Sequence, residues 1–112
     1  MAATGLVIMP TLTACSSGGE QQRVARAMRA PAQPAADRAT AMRALVRQAS
    51  LAPSSHNTQC WRFQISEKSI AIVPDLTRRC PAVDPDDHHL FVSLGCATEN
   101  LVHAALAIGL HA

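Results

Sequence analysis

The chain has 112 residues, 48% of them hydrophobic and only 3% aromatic, with a formal net charge of +2. That length holds one small domain with its own core. Scattered Lys and Arg, with no basic stripe and no Tyr, exclude a nucleic-acid surface of the electrostatic or base-stacking kind. No run of about 18 apolar residues is present, so no membrane-spanning helix is expected.

Residues 1–19 read as a leader. "ATGLVIMPTLTACSSGG" is a short apolar stretch running into small residues, the pattern of a signal-peptide core before a cleavage point. Leu12-Thr13-Ala14-Cys15 resembles a bacterial lipoprotein box, which implies lipidation of Cys15, with the following Ser-Ser-Gly-Gly as a flexible tether. The expectation is an exported protein, periplasmic or held to the membrane only by that lipid. Without a working leader it is cytoplasmic. Residues 20–36, rich in Gln, Ala and Pro, read as a linker with one helical turn near Gln22 to Met28. Residues 37–112 are the domain.

Asp37 is a helix N-cap. Ala41, Leu45 and Ala49, with Met42 and Val46 one residue off phase, form the apolar stripe of the helix it starts. Pro53 stops that helix, because the residue before a proline disfavours helical geometry. Trp61, Phe63 and Ile65 then alternate with Arg62, Gln64 and Ser66, and Ser69 to Val73 is rich in branched residues. With Glu67-Lys68 as the turn, the two runs predict an antiparallel hairpin. The next loop is punctuated by Pro74, Pro81 and Pro85. Asp84 or Asp86 can cap a final helix from about Asp87 to Leu110, where Leu90, Leu94, Ala97, Leu101, Ala105 and Ile108 recur at helical spacing. Phe91, Val92 and Val102 make this helix apolar on other faces too, which predicts a central buried one. One helix and one hairpin barely cover it. The domain is therefore expected to be incomplete, or covered by another chain.

Several constellations bear on chemistry. His56, Cys60, Cys80, His88, His89, Cys96, His103 and His111 are metal-ligating types, but no CxxC or HExxH spacing links them. Cys96 reads as core, and His103 and His111 as residues facing solvent or a partner. Setting Cys15 aside, three Cys remain, so at least one thiol is unpaired; Cys60 and Cys80 can meet across the mouth of the hairpin. Ser54 and Ser55 adjoin His56, but no GxSxG is present to make a nucleophile of either. Ser54, Ser55, Asn57 and Gln59 together offer neutral hydroxyl and amide groups, suited to holding a polyol or a heterocycle edge. A polar turn that ends the helix accounts for the same residues equally well.

At these residues the chain resembles a known family. "ASLAPSSHNTQCWRFQI" is similar to the flavin-loop motif of nitroreductases, written A-P-S-x-x-N-x-Q-P-W-x-F. "DPDDHHLFVSLGCATENLVHAALAIGL" resembles that family's long central helix. The "RRCPAVDPDDHHLFVSLGCATENL" spelling resembles a nitroreductase-like branch whose members often carry export signals. The resemblance spans about residues 37–112. It implies a partial α+β nitroreductase-like fold, consisting of a helix, an antiparallel β-hairpin and a long buried central helix. It also implies FMN as cofactor, NAD(P)H as reductant, a nitroaromatic or quinone as electron acceptor, and a homodimer built on the long helix. Pro53, Ser54, Ser55, Asn57 and Gln59 would contact the FMN; no catalytic side chain and no metal ligand is implied. Two departures stand out. Cys60 replaces the motif's Pro, and Arg38, Arg43 and Arg47 do not reproduce the family's Arg-x-Ser-x-Arg phosphate clamp. A flavin-sequestering protein without turnover is the alternative.

Overall fold

The computed structural model describes residues 18–111. The leader reading of residues 1–17, with Cys15, lies outside the described residues. Three helices and one two-stranded antiparallel sheet make a mixed α+β arrangement.

The first helix departs from expectation. α1 spans Gly18–Arg29, twelve residues where the sequence reads as a tether and a linker with a single turn. None of its residues is buried. Its support comes from elsewhere. Glu20 pairs with Arg23 one turn on, and Arg26 and Arg29 sit in the last turn, where cations offset the helix dipole. Most tellingly, the Arg47 guanidinium donates to the carbonyls of Ala27, Met28 and Ala30, and the Gln48 amide donates to Ala30. The Ala27 carbonyl also accepts the Ala30 N–H at 3.4 Å, and α2 completes the C-terminal cap. Replacing Arg47 and Gln48 together with Ala should release α1 while leaving the rest folded. Amide exchange across Gly18–Arg29 would rise towards unprotected rates, with Trp61 emission unchanged; protection that persists would refute the capping role.

α2 spans Arg38–Ala49. Asp37 caps it as expected, accepting the Thr40 N–H at 2.8 Å. Met42, Leu45 and Ala49 are buried, with Ala41 and Val46 half-buried beside them. The helix ends four residues before Pro53, with Ser50 N–H bonded to Val46 and Leu51 N–H to Gln48. Pro53 therefore blocks any continuation rather than setting the last residue.

β1 (Trp61–Ile65) and β2 (Ile70–Pro74) pair in register, Phe63 opposite Ile72 and Ile65 opposite Ile70. The turn contains no residue at positive φ, so it is not one of the primed two-residue turns. Two serines close it instead. Ser66 N–H donates to the Ser69 carbonyl at 2.9 Å, and the Ser66 hydroxyl accepts Ser69 N–H at 3.1 Å.

α3 spans His88–Ala107. Asp84, not Asp86, caps it, accepting both His89 N–H and Leu90 N–H at 3.0 Å. Asp87 takes a left-handed conformation (φ 60°) at the helix start and binds Arg79 through both carboxylate oxygens. At the far end, Gly109 at φ 78° donates to Leu106 and Leu110 donates to Ala105, a Schellman motif that only glycine accommodates without strain. By length and composition α3 is long and apolar enough to cross a membrane, a test that a core helix also passes. Leu90, Ser93, Leu94, Ala97, Ala104 and Ala105 are nonetheless buried against protein.

The core has two parts. Ala52, Cys60, Trp61, Leu90, Leu94 and Ala97 form one, with Phe63, Ile72 and Cys96 packed against it. Met42, Leu45, Ala104 and Ala105 form the other, with Leu101 and Ile108 alongside. α3 runs through both and is central, but it is not buried all round: Phe91 is 57% exposed, and Val92 and Leu106 are similarly open. The reason is supply. α2 and the hairpin cover one side of the helix, and no described element covers the other.

Candidate functional site

The Pro53–Gln59 loop leaves α2 and delivers the chain to β1. Ser55–Asn57 forms a single 3-10 turn. Three of its non-glycine residues have positive φ: His56 at 51°, Asn57 at 53° and Gln59 at 48°. Asn tolerates this conformation; His and Gln adopt it at a cost of about 1–2 kcal/mol each. Such strain persists only where surrounding contacts over-determine the backbone.

Those contacts are specific. The Ser54 hydroxyl accepts Gln59 N–H at 2.9 Å, and Asn57 N–H donates to the Ser54 carbonyl at 2.9 Å. Thr58 donates to the Ser55 carbonyl through both its N–H and its hydroxyl, each at 3.1 Å. Two outside groups then pin the loop. Ser55 N–H donates to the Ser93 hydroxyl at 3.1 Å, and that hydroxyl donates to the His89 carbonyl at 2.6 Å. Arg78 donates to the Thr58 carbonyl at 3.1 Å. α3 and the segment after β2 thus hold the loop from two sides.

The sequence-derived candidates fall into two groups. Asn57 and Gln59 are exposed, with Pro53 beside them. Ser54 and Ser55 are half-buried and serve the loop's own geometry. His56 is exposed, and no hydrogen bond joins it to either neighbouring serine, so no nucleophilic pair forms. Among the described residues no three His, Cys, Asp or Glu side chains gather to hold a metal ion. His103 is exposed and pairs with Glu99 at 3.0 Å.

The sequence does not single out Ser93, Arg78 and Asp75. Ser93 carries a usable signal, since it is a polar residue three positions after Leu90 on the buried side of α3. Arg78 and Asp75 carry none, because their roles arise from the path of the chain after β2. Asp75 N–H donates to the Cys60 carbonyl at 2.8 Å, extending the hairpin's pairing by one residue. Its carboxylate accepts Arg62 at 2.9 Å and the Thr77 hydroxyl at 2.6 Å. The bond from Arg62, then that from Thr77, holds the Asp75 carboxyl down to about 2, against the opposing effect of burial. At Asp84 burial favours the neutral acid, but the His89 and Leu90 N–H groups outweigh it and its pKa is lowered.

A cavity of about 10 Å³, room for roughly one water, lies under the loop between Ser55, Thr58, Cys60, Arg78 and Cys80. The larger opening, about 380 Å³, is elsewhere, floored by Met42, Leu45 and Ala105 and containing none of the loop residues.

Exposed neutral amides on a rigid, strained loop fit the edge of a polar heterocycle. They offer no counter-charge to a phosphate. Arg47, the nearest thing to a clamp in α2, is committed to the end of α1.

No family model and no solved structure matches the chain. Two curated proteins do, each named "Putative NAD(P)H nitroreductase", from Mycobacterium tuberculosis strains H37Rv and CDC 1551. Each is 38% identical over 60 residues, which is 52% of this chain and 17% of the relative's length. Over that stretch, and no further, the chain is similar in sequence to these two relatives, and it spans less than a fifth of their length.

Proposed function

We propose that the chain belongs to an FMN-dependent oxidoreductase of the nitroreductase type, which takes electrons from NAD(P)H and passes them to a nitroaromatic or quinone. The observation that carries this reading is the loop itself: left-handed His56, Asn57 and Gln59, with two exposed amides, braced by Ser93 and Arg78. Its support is the similarity to proteins bearing a nitroreductase name. When bound, the flavin supplies the two-electron chemistry. The chain's part is positional. Asn57 and Gln59 hydrogen-bond the ring edge, Ser54 and Ser55 keep the loop in shape, and Pro53 keeps α2 from extending into it. The exposed stripe of Phe91, Val92 and Leu106 supports a homodimer through α3. Export with a lipid on Cys15 rests on the lipoprotein-box resemblance.

Titration of the purified chain with FMN, read by quenching of flavin emission, tests the cradle. Ser54→Ala combined with Asn57→Gly, which keeps the left-handed backbone, should weaken binding about tenfold or more, through the loss of the Asn57 bond to the ring and of the Ser54 to Gln59 bond that positions the second amide, each worth about 1 kcal/mol. Equal affinity of variant and parent would sink the reading. Turnover is tested separately by NAD(P)H oxidation with nitrofurazone or menadione. FMN binding without oxidation supports the second reading, a flavin-sequestering protein.

A further inference from the structure

We propose that Cys60 and Cys80 are a thiol-modification site, forming a reversible disulfide with a small disulfide such as oxidised glutathione as oxidant. This inference does not depend on flavin binding. Both residues line the cavity of about 10 Å³ beneath the loop, which leaves space for about one water. Bonds already described link the segments that carry them. Asp75 N–H is tied to the Cys60 carbonyl, and Arg78 to the Thr58 carbonyl, so the segment carrying Cys80 folds back on the start of β1. The Cys80 carbonyl in turn accepts Val83 and Asp84 N–H, fixing that segment to the start of α3. Cys96, the third described thiol, packs against the core and does not line this cavity.

Access sets the order of events. Cys80 is half-buried and Cys60 is 1% exposed. The Cys80 thiolate attacks one sulfur of oxidised glutathione, its S–S bond breaks, and the departing glutathione thiolate takes up a proton. The Cys60 thiolate then attacks the Cys80 sulfur of the mixed disulfide and expels the second glutathione, which is likewise protonated. Two protein thiols are oxidised, and one glutathione disulfide is reduced to two thiols. The two protons lost by the cysteines end on the two glutathiones. The product staples the start of β1 to the segment feeding α3, beneath the Ser54–Gln59 loop.

The test exposes the full chain to oxidised glutathione and then to dithiothreitol. The expected result is two fewer thiols when Ellman's reagent is added after unfolding in guanidinium, a non-reducing peptide map joining Cys60 to Cys80, and full reversal on reduction. Trp61, the only Trp and the neighbour of Cys60, should lose emission on oxidation, because a disulfide quenches indole, and regain it on reduction. Cys96→Ser should behave as the parent. Cys80→Ser, at a half-buried position, should abolish both the cross-link and the fluorescence change. A glutathione adduct on Cys80 that never resolves, a cross-link to Cys96 or Cys15, or no loss of reactive thiols would each overturn the proposal.

Discussion

Leu90→Ala should destabilise the fold by about 2–5 kcal/mol, the usual range for truncating a buried leucine. Domains of this kind are stable by only about 5–15 kcal/mol, so the variant should sit near the edge of folding. The effect is large because the core is thin. Among the described residues the buried apolar set is Met42, Leu45, Cys60, Trp61, Leu90 and Leu94 with five alanines, so few large side chains share the burial. Leu90 is 3% exposed and packs among Ala52, Cys60, Trp61, Leu94 and Ala97. It also lies in the first turn that Asp84 caps, so collapse around the cavity would disturb the helix start. Val92→Ala, two residues on and about half exposed, is the matched control and should change stability by no more than about 0.5 kcal/mol. Urea unfolding followed by Trp61 emission measures both. Similar midpoints for the two variants would show that α3 is not held by its Leu90 face.

The second expectation concerns acid. The Asp75 carboxyl has a folded pKa of about 2 against an ordinary 3.8. Below the ordinary value the unfolded chain binds a proton that the folded chain refuses. The stability from this group is therefore fully present above about pH 4 and is lost as the pH falls towards 2. Asp84 and Asp37 are shifted in the same direction and add to the same acid limb. Asp75→Asn should lower stability at neutral pH, because Arg62 loses its ionic partner, and should flatten the fall between about pH 4 and 2. A residual slope from Asp84 and Asp37 should remain. Urea midpoints measured across that range decide the matter; parallel curves for variant and parent would mean that Asp75 is not the group that titrates. The result bears on the loop, because the Asp75 N–H to Cys60 carbonyl bond and the Arg78 to Thr58 bond belong to the same folded-back segment.

Elements whose cause lies within a few residues are legible in the amino-acid sequence alone. Asp37 caps α2 because its carboxylate reaches an N–H three residues on. The hairpin follows from the alternation of Trp61, Phe63 and Ile65, and pairing puts Phe63 opposite Ile72. The apolar spacing from Leu90 to Ala105 specifies α3, and Pro53 with its polar successors marks the loop. Features that depend on groups distant in the chain are not legible in this way. α1 looks like a tether because its helix is completed by Arg47 and Gln48, whose donors arrive only when α2 packs beside it. The choice of Asp84 over Asp86 depends on how the proline-rich loop bends; the thin cover of α3 is legible from the count of elements, but which of its faces stays open is not. The loop shows the division most clearly. Its polar composition is written in residues 53–59, but its left-handed geometry is held by Ser93 on α3 and Arg78 beyond β2, and backbone strain of that kind survives only where packing imposes it.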